Sequence, residues 1–167
     1  QDKVAGEEEA EALVGRYDRN CQPGSTRAYV VGRREDRIAF LQAYLPTVLK
    51  DRLLGIGVHI PFYESGARGF RPQDRERLFA MLEDFPHVLL LSGHTHTQRH
   101  WYHDASTGWH GMRPLHEYNV GAACGAYWSG IKDAEGIPDT TMADGTPNGY
   151  ARLRVDAGGA YALSWHP

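Results

Sequence analysis

Histidines dominate the residues of this sequence that could carry chemistry. The chain contains nine, and seven of them lie between His87 and His116. His94 and His96 are separated by one residue and come directly after the apolar run 88–91 and Gly93. If the backbone stays extended there, both imidazoles project to one side and can reach one metal ion. Imidazole nitrogens are frequent ligands of transition metals, so the pattern indicates a metal site.

His59 is the third candidate ligand, because it follows a second apolar run. Residues 53–58 are nearly all apolar, which predicts a strand buried on both faces. Pro72 and the apolar spacing from Leu78 to Phe85 predict a helix between the two strands, ended by Pro86. Strand, helix and strand in this order form a right-handed βαβ unit with parallel neighbours. His59 should then lie at the same sheet edge as His94 and His96.

The remaining histidines are interpreted as structural or surface residues. A single histidine at a strand end is more often a hydrogen-bonded structural residue than a ligand, and that alternative stays open for His59. Four others fall among short strand-like pieces, and two lie before a strand or near the terminus. The first group is His100, His103, His110 and His116, and the second is His87 and His166.

Composition and charge exclude several classes of protein. The 167 residues suit a single domain, and 41% hydrophobic with 23% charged residues is ordinary globular usage. The net charge is −3 with both signs interspersed, which argues against nucleic-acid binding. No apolar run approaches the roughly 18 residues of a membrane span. Cys21 and Cys124 could form one bridge or stay free.

The pattern changes along the chain from helical to strand-like. Residues 38–49 have helical apolar spacing interrupted by Pro46, which predicts one helix or two. Short strand-like pieces follow at 97–103, 118–123, 150–156 and 161–165, and the glycines at 158 and 159 predict a hairpin turn. The fold class is therefore α/β, with a β-rich second half.

These residues resemble a known family. The strand 88–92 followed by Gly93-His94-Thr95-His96 resembles the last signature of the calcineurin-like metallophosphoesterases, and residues 58–61 resemble the preceding one. Segments 121–130, 136–139 and 144–150 are similar to a bacterial branch with a C-terminal extension. The resemblance covers the chain from about residue 29 onward and implies that it is the C-terminal portion of such an enzyme.

The resemblance implies part of a four-layer αββα sandwich. Residues 1–105 would be the C-terminal half of the phosphoesterase domain, and 106–167 the β-rich extension. Two divalent ions, Mn, Fe or Zn, would hold a bridging hydroxide that attacks phosphorus. By correspondence with the family, His59 and His94 ligate one ion and His96 ligates the other.

The sequence departs from the family pattern before His59. The earlier signatures, Asp-x-His, Gly-Asp and Gly-Asn-His, are absent, and Asp18-Arg19-Asn20 lacks the histidine. The chain begins at Gln1 without a signal segment, so we expect that a preceding piece was removed. We therefore expect this chain to supply only part of the metal shell, to bind a single ion weakly, and to need the N-terminal part of the same protein. No catalytic residue is assigned.

Tyr127 and Trp128 lie between glycines and are predicted to form an aromatic wall beside the phosphate. The alternative is a Trp buried under a loop with its N–H satisfied. The expected function is hydrolysis of a phosphate mono- or diester, with a phosphorylated small molecule or ester as substrate. The alternative is a noncatalytic ligand- or partner-binding module with structural histidines. Export to the periplasm is an expectation from the resemblance only.

Overall fold

The computed structural model describes residues 34–63 and 71–167, in two compact units, Gln1–Leu49 and Lys50–Pro167. In the first unit, helix α1 spans Arg34–Tyr44 and a single 3-10 turn follows at Leu45–Thr47. Pro46 lies in the first turn of this 3-10 segment, where its missing N–H is tolerated. The predicted interruption of the helix at Pro46 is confirmed.

A four-stranded sheet organises the second unit. Strand β1 is Leu54–Gly57, helix α2 is Pro72–Leu82, and strands β2, β3 and β4 are Val88–Ser92, Arg99–His103 and Leu115–Asn119. The spatial order is β1-β2-β4-β3. β2 is parallel to β1 and β4, and β3 is antiparallel to β4. The predicted parallel pairing of the two strands that precede His59 and His94 is confirmed.

β1 differs from the prediction of a strand buried on both faces. Its residues alternate between half-buried and exposed, so among the described residues only one face of β1 is partly covered, and the exposed positions are Gly55 and Gly57. β2 lies between β1 and β4, and three of its five residues are buried.

Apolar rings from α2 and the following segments form the core. The Phe79 ring of α2 is fully buried and lies 5.0 Å from the His103 ring and 5.7 Å from the Trp109 ring. Leu82, Leu89 and Leu90 are likewise fully buried. Each such side chain contributes about 2 kcal/mol by leaving water.

The C-terminal part consists of hairpins. β5 is Ile131–Lys132, β6 is Pro138–Asp139, β7 is Tyr150–Val155 and β8 is Tyr161–His166; β5 pairs with β6 and β7 with β8, both antiparallel. Gly158 and Gly159 have φ values of 83° and 82°, so the predicted hairpin turn is confirmed. β4 begins three residues earlier than the predicted strand 118–123 and ends at Asn119, before the small residues that follow.

The fold is mixed α/β with a β-rich C-terminal part, as expected. The described residues form one four-stranded sheet and two two-stranded sheets, so the four-layer sandwich remains unconfirmed. The sheet of the phosphoesterase-like half takes β4 from beyond residue 105, and the domain division at 105/106 stays a prediction. No helix among the described residues is both long and apolar enough to cross a bilayer.

Candidate metal centre

Two neighbouring strands deliver His59 and His94 to one edge of the sheet. His59 follows the end of β1 by two residues, and His94 follows the end of β2 by two residues. Backbone hydrogen bonds continue past both strand ends, from Val58 N to the Leu91 carbonyl at 2.9 Å and from Gly93 N to the His59 carbonyl at 3.1 Å. The two histidine-bearing segments are therefore held together as a pair.

The rings of His59 and His94 converge. His94 Nδ1 lies 2.9 Å from His59 Nε2, and the ring centroids are 4.8 Å apart at an interplanar angle of 74°. Both side chains are exposed to solvent. Two imidazole nitrogens this close must share either a proton or a cation, because two bare lone pairs would repel each other. The arrangement suits two ligands of one ion.

His96 is directed elsewhere. Its Nδ1 lies 2.6 Å from the Gly125 carbonyl oxygen, which can only accept, so Nδ1 is the donor of this bond and Nε2 is the nitrogen left for another partner. Metal-binding histidines commonly fix their tautomer through such a bond to a carbonyl. The expectation of an extended His-x-His is wrong, because His94 and His96 have φ values of 72° and 51°. Their rings consequently contact different partners.

Tyr127 and Trp128 lie on the exposed side of the same loop cluster. The Tyr127 ring centroid is 4.6 Å from that of His96, with the planes inclined by 33°. Tyr127 is 78% exposed and Trp128 is 47% exposed. A Trp buried under a loop is therefore not what the structure shows. The two rings are available to a molecule that approaches His96.

Backbone strain is concentrated in these same residues. In the described part of the chain, the non-glycine residues with positive φ are His94, His96, Tyr127 and Trp128. A left-handed conformation costs a non-glycine residue about 1 kcal/mol or more, and such strain is found preferentially at functional sites. Four of the five residues predicted from sequence to form the site are thus held in an unfavourable conformation by their surroundings.

The described residues do not provide a complete set of metal ligands. No group of three or more His, Cys, Asp or Glu side chains able to hold a metal occurs among residues 34–63 and 71–167. Zinc sites usually have four ligands in tetrahedral geometry, and His59 with His94 would supply two of them. The residues fit part of a metal shell, and His96 Nε2 would serve a separate position. The metal ligands stay a prediction.

A buried carboxylate beneath the histidine loops was missed by sequence reasoning. Glu117 of β4 is fully buried and accepts hydrogen bonds from Phe62 N at 2.9 Å, Ser92 Oγ at 2.6 Å and His103 Nε2 at 2.8 Å. A buried carboxylate is tolerated only when it is bonded in this way. The one available sequence signal was an acidic residue inside a strand-like segment.

A second histidine pair lies on the opposite side of β3 and β4. His100 Nδ1 is 2.8 Å from His116 Nε2, and His116 Nδ1 is 2.6 Å from the Tyr161 hydroxyl. Burial of the ring, together with the nearby His100, lowers the pKa of His116 from 6.5 to about 4. His116 is therefore neutral near pH 7 and connects the sheet to β8, which agrees with the structural role expected for it.

Comparison with known proteins supports a phosphoesterase relationship at the C-terminal end. Residues 117–167 match the family model described as the C terminal of calcineurin-like phosphoesterase. No curated protein and no solved structure showed significant similarity to the chain. The match begins at Glu117 and includes Tyr127 and Trp128, but not His59, His94 or His96. The suspected C-terminal portion of a calcineurin-like phosphoesterase is confirmed over these residues.

Proposed function

We propose that this chain supplies part of the metal shell and the substrate wall of a phosphoesterase that hydrolyses a phosphate mono- or diester. The observation that carries the proposal is the convergence of His59 Nε2 and His94 Nδ1, at 2.9 Å, on the edge where two parallel strands end. Ligand sites of α/β sheets occur at this edge. The match over residues 117–167 to the C terminal of calcineurin-like phosphoesterase supports the choice of reaction class.

Each candidate residue has a distinct role in the proposal. His59 and His94 would direct their facing nitrogens toward one ion, while the Gly125 carbonyl engages His96 Nδ1 and leaves Nε2 as the nitrogen available to a second ion. Tyr127, whose ring is inclined to that of His96 at 4.6 Å, and Trp128 would face the organic group of the ester and exclude water from it. Two divalent ions, Mn, Fe or Zn, would supply water of lowered pKa and neutralise phosphoryl oxygens.

Further ligands must come from outside the described residues. Pairs of divalent ions in hydrolases need oxygen donors as well as imidazoles, and the described residues contain no group of three or more His, Cys, Asp or Glu side chains that could hold an ion. The proposal therefore includes another segment of the same protein as partner, which would also provide the second sheet of the four-layer sandwich. The chain alone should bind one ion weakly and turn over little substrate.

Metal binding by the chain alone gives the first test. Zn²⁺ affinity is measured by competition with a chromophoric chelator, and Mn²⁺ is used to broaden the imidazole resonances of His59 and His94. His94→Ala should weaken Zn²⁺ binding about tenfold or more, because it removes one of two nitrogen ligands. His110→Ala is the control, since His110 is also exposed but lies apart from the sheet edge. Equal affinities for the two variants would contradict the proposal.

Turnover gives the second test and separates the rival function. The protein extended upstream by its natural sequence should hydrolyse p-nitrophenyl phosphate or bis(p-nitrophenyl) phosphate when Mn²⁺ or Zn²⁺ is added. His94→Ala in that protein should abolish turnover and lower metal content. A noncatalytic binding module is the alternative, favoured by the way that His59 and His94 can satisfy each other with one hydrogen bond. Unchanged turnover and metal content in His94→Ala would favour it.

A further inference from the structure

The carboxylate of Glu117 joins the two segments that carry the candidate metal ligands. Its Oε1 accepts from the backbone N–H of Phe62, three positions after His59, and from the hydroxyl of Ser92, two positions before His94. The Phe62 bond has the ordinary N–H···O length of 2.9 Å, and the Ser92 bond is short at 2.6 Å. One oxygen atom on β4 therefore fixes the distance between two loops that begin on β1 and β2.

The second oxygen is used to hold the carboxylate itself. Glu117 Oε2 accepts from His103 Nε2 at 2.8 Å, and both side chains are buried, with exposed fractions of 0% and 1%. His103 Nδ1 is buried and has no hydrogen-bond partner among the described residues, so Nε2 makes the ring's hydrogen bond. The three donors account for the burial of the charge, and they leave Glu117 in one orientation.

Asn119 extends the same support to the residues on either side of His96. Residues 117 and 119 lie on the same face of β4, because side chains alternate along a strand. Asn119 Nδ2 donates to Thr95 Oγ1 at 2.6 Å and to the Thr97 carbonyl at 2.9 Å. The Asn119 side chain is 1% exposed, and these bonds hold the backbone around His96 in its strained conformation.

We infer that Glu117 is a positioning residue for the His59–His94 pair, acting through Phe62 and Ser92 rather than touching a ligand. The inference deepens the proposed function and rests on it. Groups bonded directly to a metal ligand alter metal affinity about 10- to 100-fold when they are replaced. Glu117 acts one step further away, so a smaller effect is expected, about 3- to 10-fold.

Two variants test whether Glu117 affects Zn²⁺ binding through its connection to the loops rather than through the stability of the fold. Glu117→Gln keeps the shape and one accepting oxygen but loses the charge, whereas Ser92→Ala removes the 2.6 Å link between Glu117 and the His94 segment, together with a longer bond of 3.3 Å to Asn119 Oδ1. Both should weaken Zn²⁺ binding about 3- to 10-fold at a temperature where each is fully folded. Leu82→Val is the matched control, because Leu82 is fully buried in α2 and bonds to neither loop. It should lower thermal stability and leave Zn²⁺ affinity unchanged.

A metal-free measurement distinguishes failure of the positioning role from failure of the proposed function. The ¹⁵N shifts of the His59 and His94 imidazoles report their mutual hydrogen bond, and they should change in Glu117→Gln and Ser92→Ala but not in Leu82→Val. If the folded variants keep both the shifts and the affinity of the unaltered chain, the positioning role is overturned. If the unaltered chain binds no Zn²⁺ while the shifts still change, the proposed function fails and the positioning of the pair stands.

Discussion

Acidification should destabilise this protein through His116, and replacing that residue should reduce the effect. One nitrogen of the neutral His116 ring can accept a hydrogen bond, at Nδ1 from the Tyr161 hydroxyl or at Nε2 from His100 Nδ1, and protonation of the ring removes that acceptor. Because its pKa is lowered in the folded state, the unfolded chain takes up the proton first as the pH falls. Stability is therefore lost between pH 6.5 and about 4 and is unaffected by this group above pH 7.

The size of the effect follows from the pKa. A fall from 6.5 to about 4 corresponds to about 3 kcal/mol for a fully buried group. The His116 ring is only half-buried, and solvent screening reduces this to about 1–2 kcal/mol. His116→Phe keeps an aromatic ring beside Tyr102 and Tyr161 but cannot be protonated.

Urea unfolding at pH 7 and pH 4.5 measures the difference. All four tryptophans lie within Lys50–Pro167, so their fluorescence reports the unit that contains His116. The loss of unfolding free energy between the two pH values should be about 1–2 kcal/mol smaller in His116→Phe than in the unaltered chain. His110→Phe, at an exposed histidine, should keep the original pH dependence. Identical pH dependence in all three proteins would refute the reasoning.

Three further predictions concern packing and backbone. Phe79→Ala should lower the free energy of unfolding by about 3–5 kcal/mol in urea, because the ring is fully buried; a loss below about 1 kcal/mol would contradict this. Gly130→Ala should speed amide exchange in β5, because a Cβ there would lie 1.5 Å from the Asp139 carbonyl oxygen. Gly55→Ala is the control: it has open space around it and should change the free energy of unfolding by less than about 1 kcal/mol. Equal exchange in the two variants would argue against the close approach. Tyr127→Gly should raise the free energy of unfolding by about 1 kcal/mol, because it removes the backbone strain of a φ of 65°. It should also weaken binding of an aryl phosphate. Unchanged binding would exclude Tyr127 from the proposed substrate wall.

Local patterns predicted the elements that place the site. The apolar runs before His59 and His94, with a helix of the right length between them, were sufficient to predict parallel neighbours. Parallel neighbours end at the same edge, so the approach of these two rings followed from topology alone. The hairpin turn was likewise predictable, because two consecutive glycines favour a tight turn, and both adopt positive φ in the structure.

The conformation around His94 and His96 could not be predicted in the same way. The left-handed backbone there is maintained by Asn119, which lies more than 20 residues away along the chain. Glu117 poses the same difficulty, since its partners Phe62 and His103 are 55 and 14 residues distant. A carboxylate within a strand gives no local signal that it will be buried and fully bonded.

The position of β1 at the sheet edge has a consequence for how the protein could be assembled. Within the described residues β1 pairs on one side only, and its exposed residues are Gly55 and Gly57, which present bare peptide groups. An extended peptide added there would continue the ladder without meeting a side chain at either glycine. If it ran parallel to β1, its own final residues would arrive beside His59. A synthetic strand added in solution could therefore complement the chain without a covalent join.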